Sequence, residues 1–181
     1  TTVNSGGTIT VSSGVAGDLT FTGLVTVASG GTWNETAATI ITFSSGLTNS
    51  GTFTSSTGNH IFDGTAKTIT GTISIPATAT GNIVTYNKSG AQTVKAVSYD
   101  TLNLSGSGVK TIGSGITIAD SLTIDSGVSA ALTGNSTAND LTLNATLQVA
   151  GSWGSTSSSA TNQNDTYFSG TGMVTAATGE T

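Results

Sequence analysis

The feature that most constrains this chain is a strict alternation of apolar and hydroxyl residues in short bursts. Examples are Thr8-Ile9-Thr10-Val11, Val25-Thr26-Val27, Leu102-Asn103-Leu104, Ile116-Thr117-Ile118 and Leu141-Thr142-Leu143. Successive side chains of a strand point to opposite faces, so each burst has one apolar and one hydroxyl face. Ser-Gly, Gly-Gly and Asp-Gly steps separate the bursts and supply the backbone freedom that corners need. The best helix candidate, Thr36 to Ile41, has no amphipathic face and is rich in β-branched residues. Strand-like segments recur about once every eight residues, a density that suits a sandwich, a barrel or a solenoid.

Internal repetition separates these architectures. Leu47 leads to Phe62 with the spacing by which Trp153 leads to Phe168, and at that offset Gly64 falls on Gly170. Residues 1–75 thus resemble residues 107–181 within one repeat-built β domain over 1–181. The expected fold is all-β: a β-solenoid, or parallel β-helix-like stack of short strands. Val, Ile, Leu and Phe point inward, Thr and Ser outward, and Gly forms the corners. A Greek-key β-sandwich is the alternative.

Composition narrows function. Charged residues make up 7% of the chain and Arg is absent. Ser and Thr are roughly a third of it, far above the usual share. Solubility therefore comes from hydroxyls and amides, as on extracellular β surfaces, and the expected location is the extracellular space or cell surface. A net charge of −5 and four scattered lysines do not provide a nucleic-acid patch. No apolar run is long enough for a membrane-spanning helix. The absence of cysteine excludes disulfides and thiolate metal sites. The chain starts at Thr1 and its only methionine is Met173, as expected after removal of a signal peptide or for a piece of a longer protein.

The run GGTWNETAATIITFSSGLTNSGTFTSSTGNHIFDGTAKTITGTISI, followed by Gln92-Thr93-Val94 and Leu102-Asn103-Leu104-Ser105, resembles the β-strand repeats of large bacterial and archaeal surface proteins. The resemblance implies a secreted structural or adhesive role and carries over no catalytic residue.

No catalytic constellation can be assembled from the inventory. His60 is the sole histidine and is expected at the surface or in a turn, with Asp63 facing elsewhere. Paired acids are missing, so enzymatic activity is not expected. No cofactor is expected either. A calcium ion between coils would draw on Asp120, Asp125 and Asp140. Six N-x-Ser/Thr triplets, at Asn34, Asn87, Asn103, Asn135, Asn144 and Asn164, are candidate glycosylation acceptors. A chain this rich in Ser and Thr also yields such triplets by chance. The aromatic residues read as core ladders or caps rather than a sugar platform. Thr8/Thr10, Thr20/Thr22, Thr52/Thr54, Thr68/Thr70 and Thr78/Thr80 are too irregularly spaced for a flat ice-binding array.

Charge, Pro or a helix normally blunts a solenoid end, and neither terminus looks capped. Thr1, Thr2, Val3 and Asn4 at one end, and Met173, Val174 and Thr175 at the other, are therefore the expected assembly residues. The expected partner is the protein itself, through end-to-end stacking or strand donation into a fibre. Rival readings are a stalk or adhesin module of a longer surface protein, and a glycan- or ice-binding module.

Overall fold

Alternating bursts can bury their apolar faces if consecutive bursts wind into a coil and each coil stacks on the last. The computed structural model shows this arrangement: an all-β solenoid of about six turns of stacked parallel strands. It describes residues 1–12, 18–64, 70–71 and 81–179.

The first coil contains β1 (Thr2–Val3), β2 (Thr8–Val11) and β3 (Leu19–Phe21). The second contains β4 (Val25–Val27), β5 (Thr32–Glu35) and β6 (Ile40–Phe43), and the third β7 (Leu47–Asn49), β8 (Thr52–Thr54) and β9 (Gly58–Phe62). Then come β10 (Thr70–Gly71), β11 (Asn82–Tyr86), β12 (Gln92–Thr93), β13 (Thr101–Leu104), β14 (Gly108–Ile112), β15 (Thr117–Ile124), β16 (Val128–Leu132) and β17 (Ser136–Leu143). The last elements are β18 (Thr146–Leu147), β19 (Gly151–Gly154), β20 (Asn162–Gln163), β21 (Phe168–Ser169) and β22 (Met173–Ala176).

Four walls result. One is β1-β4-β7-β10, a second is β2-β5-β8, and a third is β12-β14-β16-β21. The longest runs through β3, β6, β9, β11, β13, β15 and β17 to the terminal strands. Coil length varies. The register step is short from Ile83 to Thr101 and longer from Thr2 to Thr26. The last step, from Ala130 to Phe168, is far longer because residues 144–167 make an excursion.

Parity sets the core. Inward residues such as Val25, Ile41, Leu102, Leu104, Leu122 and Ile124 are buried in a cluster that spans the coils. Each fully buried side chain of this kind contributes about 1.5–3 kcal/mol relative to exposure. Aromatic rings line up through the N-terminal coils: Phe53 stacks on Trp33, Phe43 on Phe62 and Phe62 on Tyr86, while Trp33 meets Phe43 at a tilt, with centroids 5.2–5.9 Å apart. The expected aromatic ladder is therefore present in that half. Trp153 does not continue it. It is only half-buried in β19, and its indole N–H donates to Val149 O at 3.0 Å.

Corners depend on glycine where a Cβ has no room. At Gly51 a Cβ would lie 2.4 Å from the carbonyl oxygens of both Ala28 and Gly31, in the coil below. The segments Leu47–Phe62 and Trp153–Phe168 lie on different walls. Leu47 stands in β7 and Phe62 in β9, whereas Trp153 stands in β19 and Phe168 in β21.

Candidate functional site

The two ends of the solenoid differ. At the first coil, β1 pairs only with β4, β2 only with β5 and β3 only with β6 among the described residues. The carbonyls of Thr1, Val3, Gly7, Val11 and Phe21 accept from Thr26, Ala28, Thr32, Thr36 and Ser44 of the second coil. Backbone groups of alternate residues face opposite neighbours in a strand. The main-chain groups of Thr2, Thr8, Thr10 and Thr20 therefore face away from the second coil. The core is also incomplete there. Ile9, Leu19 and Phe21 are half-buried, whereas Trp33, Ile41 and Phe43, one coil in, are 0% exposed.

Thr1, Thr2, Val3 and Asn4 lie in this first coil. The Thr1 amino group donates to Leu24 O at 3.0 Å, Val3 points into the core, and Asn4 O accepts from Gly7 N at 2.9 Å.

The far end is partly closed, contrary to the expectation that neither end is capped. After β17 the chain turns through Asn144 and Ala145, both at positive φ, into β18. β19 then runs antiparallel to β22, from Gly151 opposite Ala176 to Gly154 opposite Met173. The other edge of β22 pairs in parallel with β17. Met173, Val174 and Thr175 thus sit in a strand with neighbours on both sides. Side-chain hydrogen bonds tie down the excursion. Asp165 accepts from the N–H and hydroxyl of Thr156, and Ser155 Oγ donates to Gly170 O at 2.6 Å. The Thr156 donors hold the Asp165 carboxyl below its ordinary pKa.

Inside the coils lies a polar cluster that the composition of the chain does not announce. Glu35 and His60 share the inward parity of Trp33 and Phe62. Glu35 Oε1 accepts from Trp33 Nε1 at 2.7 Å, and Oε2 accepts from Ser56 N at 3.0 Å and lies 2.8 Å from His60 Nε2. His60 is 1% exposed, so it is not a surface or turn residue. Its partner is Glu35 from another wall, while Asp63 is exposed. Asn82 extends the cluster, donating to Ser55 Oγ at 3.0 Å and Ser56 O at 2.7 Å. Burial closes this group to substrates and makes it an internal staple. The signal in the sequence is parity alone: a Trp-x-Glu and a His-x-Phe placed where inward residues fall.

Two further buried groups stand in the middle coils. The hydroxyls of Tyr86 and Tyr99 lie 3.2 Å apart. Burial pushes Tyr86 up to about 12, and burial with the neighbouring phenol raises Tyr99 well above its ordinary value. Lys110 is wholly buried, and its Nζ donates to Lys88 O at 2.6 Å and Gly90 O at 3.0 Å. Burial, and then the Lys88 ammonium, lower its pKa to about 8.

The remaining candidates are dispersed. Asp120 lies within β15 and Asp125 directly follows that strand, with Ser121 to Ile124 between them. Asp140 lies one coil on, opposite Ser121. No group of three or more potential ligand residues of the His, Cys, Asp and Glu type forms among the described residues. Of the sequons, Asn87, Asn135 and Asn144 are exposed, while Asn34, Asn103 and Asn164 are half-buried. Thr8, Thr32 and Thr52 align on one wall, beside Thr10, Asn34 and Thr54. Thr20 stands on another wall, and the pairs Thr68/Thr70 and Thr78/Thr80 fall wholly or partly outside the described residues. Among the described residues, no helix is long and apolar enough to cross a membrane.

Stacked parallel coils, one continuous core and an interior staple define a β-solenoid protein. No protein-family model matches the chain, and no curated protein or solved structure is significantly similar to it.

Proposed function

We propose that this chain is a structural module of an extracellular or cell-surface fibre, a β-solenoid rod. The observation that carries this reading is the stack of about six parallel coils around one continuous apolar core, with hydroxyl residues turned outward. A non-enzymatic role fits, because the sole histidine and its carboxylate partner are sealed in the core. The hydroxyl-rich, charge-poor exterior and the resemblance to surface-protein repeats support an extracellular site. They equally suit a stalk in a larger surface protein.

Immunogold electron microscopy of unpermeabilised cells that make the protein tests the reading. Gold along surface fibres or stalks is expected. Label that appears only after permeabilisation would refute it.

A second reading is favoured by one wall. Its aligned Thr8-Thr32-Thr52 and Thr10-Asn34-Thr54 columns repeat at about the 4.8 Å strand spacing, which suits an ordered ice or glycan surface. Thermal hysteresis and glycan-array binding test it, and a blank in both removes it.

A further inference from the structure

The six N-x-Ser/Thr triplets are equivalent in sequence but not in the fold. A folded acceptor must offer a free asparagine amide and a free hydroxyl two residues on. Its main chain must not be held between two neighbouring strands, so such triplets belong on surface loops.

Five of the six fail at least one requirement. Asn34 and Asn103 are half-buried within β5 and β13, and each of these strands has a neighbour on both sides. Asn87 Oδ1 accepts from Ser105 Oγ at 3.0 Å, and the Ser89 hydroxyl of its triplet lies 3.1 Å from that of Ser107. Asn135 is exposed, but Ser136 is buried and Thr137 is held between Thr117 and Thr175. Asn164 is half-buried, and its Oδ1 accepts from Thr166 N at 3.0 Å.

Asn144-Ala145-Thr146 meets every requirement. All three residues are exposed. Leu143 pairs with Thr146, so Asn144 and Ala145 form the tip of a two-residue turn, at φ 46° and 62°. Asparagine is among the residues that tolerate this left-handed region. Asn144 N donates to Ile124 O at 2.9 Å, which anchors the tip to the coil below. The Asn144 amide and the Thr146 hydroxyl have no hydrogen-bond partner among the described residues. Among those residues β18 pairs on one side only, with β17.

We propose that Asn144 is the acceptor of an N-linked glycan, taken from a polyprenyl-diphosphate-linked oligosaccharide. This rests on the surface reading above. In the transfer, Asn144 Nδ2 attacks C1 of the first sugar. The Nδ2–C1 bond forms, the bond from C1 to the diphosphate oxygen breaks, and Nδ2 gives up one proton as the lipid diphosphate leaves. Nothing is oxidised or reduced. Thr146 supplies the hydroxyl by which the triplet is recognised.

Mass spectrometry of the protein purified from cells that make it, with fragmentation that places the modification on a residue, tests the proposal. The wild type is expected to carry one glycan, on Asn144. N144D keeps a residue that tolerates positive φ but removes the amide nitrogen, and should lose the added mass. T146A and T146S both leave Asn144 in place. T146A removes the hydroxyl and should lose the mass, whereas T146S should keep it. N135D, at the exposed triplet that is locked into β17, should leave the mass unchanged. Far-UV circular dichroism and the urea midpoint confirm that each variant is folded.

A bare Asn144 in the wild type would overturn the proposal. So would a glycan on any of the other five asparagines, or a T146A variant that keeps the added mass. The surface reading stands apart from these outcomes. Surface label on a protein with a bare Asn144 refutes only the glycan. A glycan on Asn144 in a protein that labels only after permeabilisation refutes only the surface role.

Discussion

Replacing Gly51 by alanine should separate a stacked solenoid from a looser β arrangement. The added Cβ would lie 2.4 Å from two carbonyl oxygens, those of Ala28 and Gly31, and 3.0 Å from Val27 Cγ1. Both oxygens belong to main chain already in use. Ala28 O accepts from Gly31 N at 2.8 Å, and Gly31 O accepts from Thr52 N at 3.0 Å. Relief requires one coil to shift against the next. Overpacking of this kind costs about 1–3 kcal/mol. Losing one of the strained hydrogen bonds adds about 0.5–1.5 kcal/mol. G51A should therefore lose about 1.5–4.5 kcal/mol.

Gly51 has no positive φ, so the loss comes from crowding and not from backbone strain. The control is Gly23, which also lacks positive φ and where an added Cβ would meet nothing within 4 Å. G23A should be neutral or gain about 0.4–1 kcal/mol from the reduced entropy of the unfolded chain. Urea unfolding followed by tryptophan fluorescence and by far-UV circular dichroism gives both values. Equal midpoints from the two probes would license the free-energy comparison. If G51A and G23A unfold within about 0.5 kcal/mol of each other, the corner is not closed by stacked carbonyls and the coil geometry is wrong.

Other perturbations follow from the buried polar groups. Glu35→Ala strands the donors of Trp33 and Ser56 and leaves His60 Nε2 without its partner, and should cost at least about 3 kcal/mol by urea unfolding. The double substitution E35L/H60L should recover much of that loss, because an apolar pair leaves fewer buried groups unmatched. Lys110 has a folded pKa lowered from 10.5 to about 8, so between those values the unfolded chain binds more protons and stability rises with pH. Tyr86 and Tyr99 titrate above the ordinary 10.0 and reverse the trend, since above pH 10 the folded chain holds protons that the unfolded chain has lost. The urea midpoint should thus climb from about pH 8 and fall beyond about pH 10, and K110M should remove the climb but keep the fall. Asp165 has a depressed pKa, so its contribution is present above 3.8 and lost as pH falls through the folded value. D165N should flatten the acid limb and raise amide exchange around Thr156.

Much of the architecture is legible in the sequence because parity is a local property. Leu102 and Leu104 alternate with Thr101 and Asn103, and in the structure the leucines are buried while their neighbours are half-buried. What spacing does not show is register. Coils differ in length, so Thr8/Thr10 and Thr52/Thr54 meet on one wall across the intervening Thr32 and Asn34, although their separations along the chain look irregular. Glu35, His60 and Lys110 are hard to place from sequence because charged residues belong outside by chemistry, while their parity points inward. The antiparallel β19 is invisible for a different reason. Gly151-Ser152-Trp153-Gly154 has the composition of the other bursts, and strand direction is set by the length and turns of the excursion, not by the strand itself.

The placement of the buried cluster bears on how the rod holds together. A purely aliphatic core would allow neighbouring coils to slip, because Val, Ile and Leu ladders are nearly interchangeable along the axis. Glu35 in the second coil binds Ser56 N and His60 in the third, and Asn82 in the next coil reaches back to Ser55 and Ser56. Each contact is specific to one register, since a shift by one coil would leave a buried carboxylate without its donors. The cluster therefore fixes the stacking order in the N-terminal half at some cost in desolvation. Lys110 does the same in the next half by reaching back to the corner carbonyls of Lys88 and Gly90. E35L/H60L should accordingly recover much of the stability that E35A loses but lose uniqueness: its amide NMR spectrum would show peak doubling in β5 and β9, and a single sharp set of peaks would show that apolar packing alone sets the register.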